Sequence, residues 1–185
     1  MRSLQPLIPF VPLLALLAWA AIADWRTRLI RNWLTVSLML GGLMQSFGPA
    51  ATVTPGDAML GWLVGFGLLF FPFAVGAIGG GDVKLLAGIG AWVGPLAVFQ
   101  IFCAEAVLGL MVVMAQAAAA GKLRMLFRNS AVLAVNLAHV GNLGVEHAEV
   151  SGRQLRSVDR PLPYAVPTFA AVLLVLAIQM AGGAA

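Results

Sequence analysis

An all-α fold, a polytopic integral membrane bundle of about six transmembrane helices, is the class this sequence predicts, and three observations predict it. Of 185 residues, 61% are hydrophobic and only 10% charged, with a mean hydropathy of +0.96; soluble domains carry about a quarter charged residues. Apolar runs recur at the length of a membrane span, roughly 17 to 25 residues. The basic residues fall in alternate connections between those runs. A single cysteine, Cys103, excludes a disulfide framework and a cysteine-based zinc cluster. The net charge of +4 comes from a few residues in short stretches, which reads as membrane topology and not as nucleic-acid binding.

Taken in order, residues 7–23 form the first span and 33–47 a second, short or tilted one. Residues 58–75 form the third. Residues 85–93 are short for a fourth and stop at the breaker Gly94-Pro95. Residues 96–120 make a long fifth span, and 163–180 close the chain. Arg26, Arg28 and Arg31 follow span one, Lys84 follows span three, and Lys122, Arg124, Arg128, Arg153, Arg156 and Arg160 follow span five. With six spans these loops share one side, which the positive-inside rule makes cytoplasmic, so both termini face out. The start of the chain has the basic, apolar and small-residue order of a cleavable signal peptide, but three arginines just beyond the apolar stretch oppose export of the chain after it. The whole chain, 1–185, reads as one membrane-embedded domain. Its polar stretch, 121–160, reads as a cytoplasmic basic loop in which "KLRMLFRNSAVLAVNLA" forms an amphipathic helix on the inner leaflet.

Ionisable residues at membrane depth are costly and need a reason. Asp57, Glu146, Glu149 and Asp159 fall in loops and read as solvated surface. Asp24 lies at the inner end of span one, and Asp82 follows Gly79, Gly80 and Gly81 at the inner end of the connection between spans three and four. Counting helices puts both carboxylates at one depth on one side. There they could meet as an aspartyl dyad, one holding a proton and the other activating water against a carbonyl. The plainer readings are that Asp24 pairs with Arg28 one turn on and that Asp82 caps a helix. A cap does not need three glycines before it, whereas a protease site gains from bare backbone beside its carboxylate. Glu105, near mid-span, reads as structural.

These residues resemble a known family. "GGGDVKLL" is similar to the GxGD signature of type IV prepilin peptidases, and "ADWRTRLIRN" resembles their first aspartate motif. The likeness covers most of the chain, including the "PLPYAVP" that leads into the last span. It is greatest to the short, peptidase-only members of tight-adherence (Flp-type) pilus systems. The resemblance implies catalytic Asp24 and Asp82, signature glycines Gly79 and Gly81 against the substrate, and Lys84 holding a substrate carboxylate or anchoring its helix. It implies an aspartic endopeptidase of the bacterial inner membrane, both termini periplasmic, that removes the leader of prepilins and pseudopilins at the cytoplasmic face. No metal and no cofactor are expected. The bilayer and a pilus or secretion assembly machinery are the implied surroundings, with no nucleic acid. Two departures stand out. Arg31 precedes Asn32 where the family usually has proline, and the cysteine-bearing region of methylating members has no counterpart here, so methyl transfer is not expected.

Other classes leave different marks. A zinc protease needs a pattern such as His-Glu-x-x-His, whereas His139 and His147 both lie in the polar loop. A proton- or cation-coupled transporter, or a pilus-assembly subunit, would instead use Asp24, Asp82 and Glu105 for ion binding. A presenilin-like GxGD protease would share the dyad and differ in substrate.

Overall fold

The computed structural model describes residues 8–74, 78–125, 127–129 and 164–182. Among these the regular structure is entirely helical: α1 (Val11–Thr27), α2 (Asn32–Gln45), α3 (Pro55–Ala74), α4 (Gly80–Ala119) and α5 (Ala165–Gly182). Among the described residues four stretches are long and apolar enough to cross a bilayer: Ile8–Thr27, Pro55–Ala74, Gly80–Ala119 and Ala165–Gly182. The chain is a multi-pass membrane protein. The expectation of six spans meets two features here. α2 has 14 residues, about 21 Å of helix against a hydrocarbon core of about 30 Å. The expected fourth and fifth spans both lie within the 40 residues of α4.

α4 is not one straight rod. Gly94 has φ 81° and ψ 176°, and Pro95 follows it, a backbone region that essentially only glycine occupies. In a straight helix Asp82 and Glu105 would stand about 35 Å apart, yet α3 meets both halves of α4: Gly65 faces Leu86, and Leu69 one turn on lines a pocket with Phe102 and Glu105. The helix therefore folds back at Gly94 into two rods, residues 80–93 and 95–119.

The first rod is the centre of the molecule. Val83 and every residue from 85 to 92 are buried, as befits a helix that is apolar all round. α2 and α3 flank it through small residues, the usual means by which membrane helices approach closely. A Cβ on Gly61 of α3 would stand 2.0 Å from the Gly90 carbonyl oxygen, and one on Gly65 would stand 2.6 Å from that of Leu86. On the α2 side, Gly42 lies against Ala91 and Trp92. The buried Trp92 donates its indole N–H to the Leu38 carbonyl at 2.9 Å, and its own carbonyl accepts from the Thr52 hydroxyl at 2.7 Å. α5 packs against α1 and α4, adding Ala171, Val172 and Leu176 to a core shared with Leu13, Leu17 and Leu86.

Helix ends differ from expectation in ways that matter for the site. α1 continues past residue 23, so Asp24 lies inside its last turn. Arg28 ends α1 with φ 55°, and its N–H donates to the Asp24 carbonyl. α4 begins at Gly80, earlier than residue 85, so Gly80 and Gly81 are helical. Asp57, read as solvated surface, lies in the first turn of α3: the exposed Thr54 hydroxyl accepts the Asp57 N–H at 3.1 Å as an N-cap and donates to the Asp57 carboxylate at 2.7 Å. Of the basic loop only residues 121–125 and 127–129 are described, with 123–125 and 127–129 helical. The remainder of the amphipathic segment, the later arginines, both histidines, Glu146, Glu149 and Asp159 lie outside the described residues.

Candidate active site

Three helix ends supply the site. Asp24 comes from the last turn of α1 and is 6% exposed. Its Oδ2 accepts the backbone N–H of Ala165, the first residue of α5, at 2.9 Å. A helix N-terminus has backbone donors with no partner of their own, so α5 offers a fitted position for a carboxylate. Where the plainer reading of the sequence paired Asp24 with Arg28 one turn on, its carboxylate reaches across the bundle to another helix.

Asp82 is the third residue of α4 and is half-buried. Its Oδ2 reaches back to accept the Gly79 N–H at 3.2 Å. This is the carboxylate half of a capping box; glycine has no side chain to return the bond. Asp82 therefore does cap its helix, although from inside the first turn. Asp24 and Asp82 lie close enough for their charges to interact. Each aspartate thus has its Oδ2 anchored by a backbone N–H.

The glycines have separate surroundings. Gly79 is exposed beside Asp82. A Cβ on Gly81 would come within 3.3 Å of Ile30, and one on Gly80 within 3.2 Å of the Phe73 ring. These two let the start of α4 nestle against the α1–α2 connection and the end of α3. Lys84 is exposed, and its Nζ donates to the Asn32 side chain at 3.3 Å. The two sequence motifs thus approach at two points: Asp24 toward Asp82, and Asn32 toward Lys84. Arg31, which stands where proline was expected, has φ −68° and ψ 136°. Proline fixes φ near −65°, so the arginine holds a backbone that proline could share.

Glu105, read from the sequence as structural, has a partner that the sequence did not reveal, Tyr164. Glu105, 4% exposed, accepts a hydrogen bond from the Tyr164 hydroxyl, and its Oε2 has no partner among the described residues. Tyr164 immediately precedes Ala165. The available signal was that Tyr164 is the only tyrosine and that a buried acid requires a donor. Glu105 and Tyr164, with Leu69, Phe102 and Pro167, line a pocket of about 240 Å³.

Comparison with known proteins gives the family. Residues 11–114, more than half of the chain and including both aspartates, match the type IV leader peptidase family. A prepilin leader peptidase/N-methyltransferase of Klebsiella pneumoniae is 38% identical over 97 residues, covering 48% of this chain and 42% of that protein. A prepilin leader peptidase/N-methyltransferase of Pectobacterium carotovorum subsp. carotovorum is 36% identical over 107 residues, covering 54% of this chain and 38% of that protein. The matched region thus spans about two fifths of the relatives' own length. No solved structure matches. With a family match across α1 to α4, the two aspartate motifs and the all-helical membrane architecture, the chain belongs to the type IV leader peptidase family.

Proposed function

We propose that this protein is an aspartic endopeptidase that removes the short leader of type IV prepilin-like proteins, with Flp-type pilins as substrates, at the cytoplasmic face of the bacterial inner membrane. The observation that carries the reading is the pair Asp24 and Asp82. Carboxylates from different helices lie within reach of each other's charge, each with one oxygen anchored by a backbone N–H.

In the proposed reaction the pair shares one proton. The ionised carboxylate takes a proton from water as the water oxygen bonds to the peptide carbonyl carbon, while the protonated carboxyl stabilises the developing oxyanion. Collapse of the tetrahedral intermediate breaks the C–N bond, and the departing nitrogen takes a proton from the dyad. Because each Oδ2 already accepts an N–H, the shared proton resides on an Oδ1. Asp24 and Asp82 both lie within one turn of a helix end, which favours access of water. Arg26, Arg28, Arg31, Lys84, Lys122 and Arg124 favour the cytoplasmic side for that end. In this reading the rods of α4 cross separately and α2 crosses as a short helix, giving six spans and periplasmic termini. Gly79 and Gly81 form the backbone wall against which an extended substrate lies, and Lys84 stands at its rim beside Asn32. Residues 121–160 form a cytoplasmic basic loop. Methyl transfer to the new N-terminus is not part of the proposed activity.

The test is leader cleavage of a candidate prepilin co-produced with the protein, read by mass, for wild type, Asp24→Asn and Asp82→Asn at equal membrane abundance. Loss in both aspartate variants is the expected result. Cleavage surviving in both would overturn the peptidase reading and favour ion transport centred on Glu105. A product carrying an added methyl group would overturn the peptidase-only part of the proposal.

A further inference from the structure

We propose that Glu105 and Tyr164 are a positioning pair for Asp24, acting through the first peptide of α5; the inference rests on the two-aspartate reading above. The mechanism leaves Glu105 without a task, although a carboxyl group buried within a membrane helix is costly and marks a functional position by default. Its geometry supplies the task. Glu105 on the second rod of α4 accepts the Tyr164 hydroxyl. The residue after Tyr164 is Ala165, whose N–H holds Asp24 Oδ2 at 2.9 Å. The Thr168 hydroxyl donates to the Tyr164 carbonyl at 2.9 Å, which ties the same peptide into the first turn of α5.

A continuous chain of directional bonds therefore runs from the second rod of α4 to the carboxylate on α1. Apolar packing alone would leave the start of α5 free to slide or rotate by a fraction of an ångström, because dispersion contacts are non-directional. A hydrogen bond to a buried phenol is directional. The tyrosine ring is the lever that fixes where the Ala165 N–H points, and Asp24 follows that N–H. Asp82 lies within electrostatic reach of both Glu105 and Tyr164, so the pair borders the dyad and is not a remote packing feature. Neither residue needs to touch the substrate.

The test uses the full chain in detergent or liposomes, with steady-state cleavage of a prepilin by wild type, Tyr164→Phe, Glu105→Leu and Glu105→Gln. Misplacing a catalytic group by about 1 Å costs on the order of a hundredfold. Tyr164→Phe and Glu105→Leu are expected to lower kcat by about tenfold to a hundredfold while KM changes by less than about twofold. Glu105→Gln keeps an oxygen that accepts the phenol proton and is expected to retain kcat within about threefold of wild type. A role confined to packing would also be satisfied by the isosteric glutamine, but it would not produce a loss confined to kcat in Tyr164→Phe, which keeps the ring and removes only the hydroxyl. If Glu105→Leu fails to accumulate, Tyr164→Phe, which removes one oxygen, carries the test by itself.

Wild-type kcat in Tyr164→Phe would overturn the proposal, as would a rise in KM at constant kcat or a Glu105→Gln variant as slow as Glu105→Leu. Asp24→Asn and Asp82→Asn run in the same assay separate the positioning role from the peptidase activity beneath it. If both aspartate variants cleave like wild type, the peptidase reading falls and the positioning role with it. If both are dead while Tyr164→Phe is unaffected, only the positioning role falls.

Discussion

Placing a methyl group on Gly61 tests how the central rod is held. The Cβ of Gly61→Ala would stand 2.0 Å from the Gly90 carbonyl oxygen, and within 2.8 Å of backbone carbons of Gly90 and Gly94. Ordinary contact begins at 3.4 Å, so α3 and the first rod of α4 must part by over about 1 Å. These nearest neighbours are all backbone, which has no rotamer by which to yield. Overpacking typically costs about 1–3 kcal/mol and occasionally more. The rigidity of those neighbours puts Gly61→Ala at or above the top of that range. Gly67→Ala lies on the same helix, and nothing stands within 4 Å of its Cβ. The same chemical change there should be neutral or stabilise by up to about 1 kcal/mol, because alanine favours helix over glycine. Reversible unfolding in mixed detergent micelles, followed by circular dichroism, compares the two variants directly. Equal stability of Gly61→Ala and Gly67→Ala would refute the close approach of α3 and α4 on which the position of Asp82 depends.

Gly94→Ala should destabilise the fold by about 1–3 kcal/mol, since a side chain is strained at φ 81° and ψ 176°; an unchanged unfolding midpoint would contradict the fold-back in α4. Trp92→Phe keeps an aromatic ring but removes the indole N–H bond to the Leu38 carbonyl, which keeps its partner within α2, so the lost bond should cost about 0.5–1.5 kcal/mol, visible in the same unfolding experiment. Arg28→Gly should leave the fold intact and stabilise α1 by up to about 1 kcal/mol, because Arg28 holds φ 55° where glycine carries no Cβ penalty; a loss of stability would show that the arginine side chain has a partner that outweighs the strain.

Several parts of this protein are legible in its sequence. The helical class followed from apolar runs, because backbone in hydrocarbon must satisfy its own hydrogen bonds. The break at Gly94-Pro95 was visible because those residues disrupt regular helix. Asp24 and Asp82 stood out because carboxylates at the edge of apolar runs are rare and costly. The Lys84–Asn32 bond, the Asp82 cap from inside the helix and the proline-like backbone of Arg31 were not legible, since each depends on helix ends whose limits apolar patterning sets only to within a few residues.

What the sequence by itself determined is the membrane solvent of this chain, its helical segments and the two acids that such a solvent makes conspicuous. Composition and periodicity report how each residue relates to its surroundings, and in a bilayer that relation is severe. Tertiary structure alone decided which helix end answers which carboxylate. Asp24 could have met Arg28 within its own helix; instead it meets the N–H of Ala165, far along the chain, because α5 packs beside α1 and offers unpaired donors there. The same packing gave Glu105 its phenol. A hydrogen bond needs a donor at a particular distance and angle, and the order of residues along a chain does not specify either.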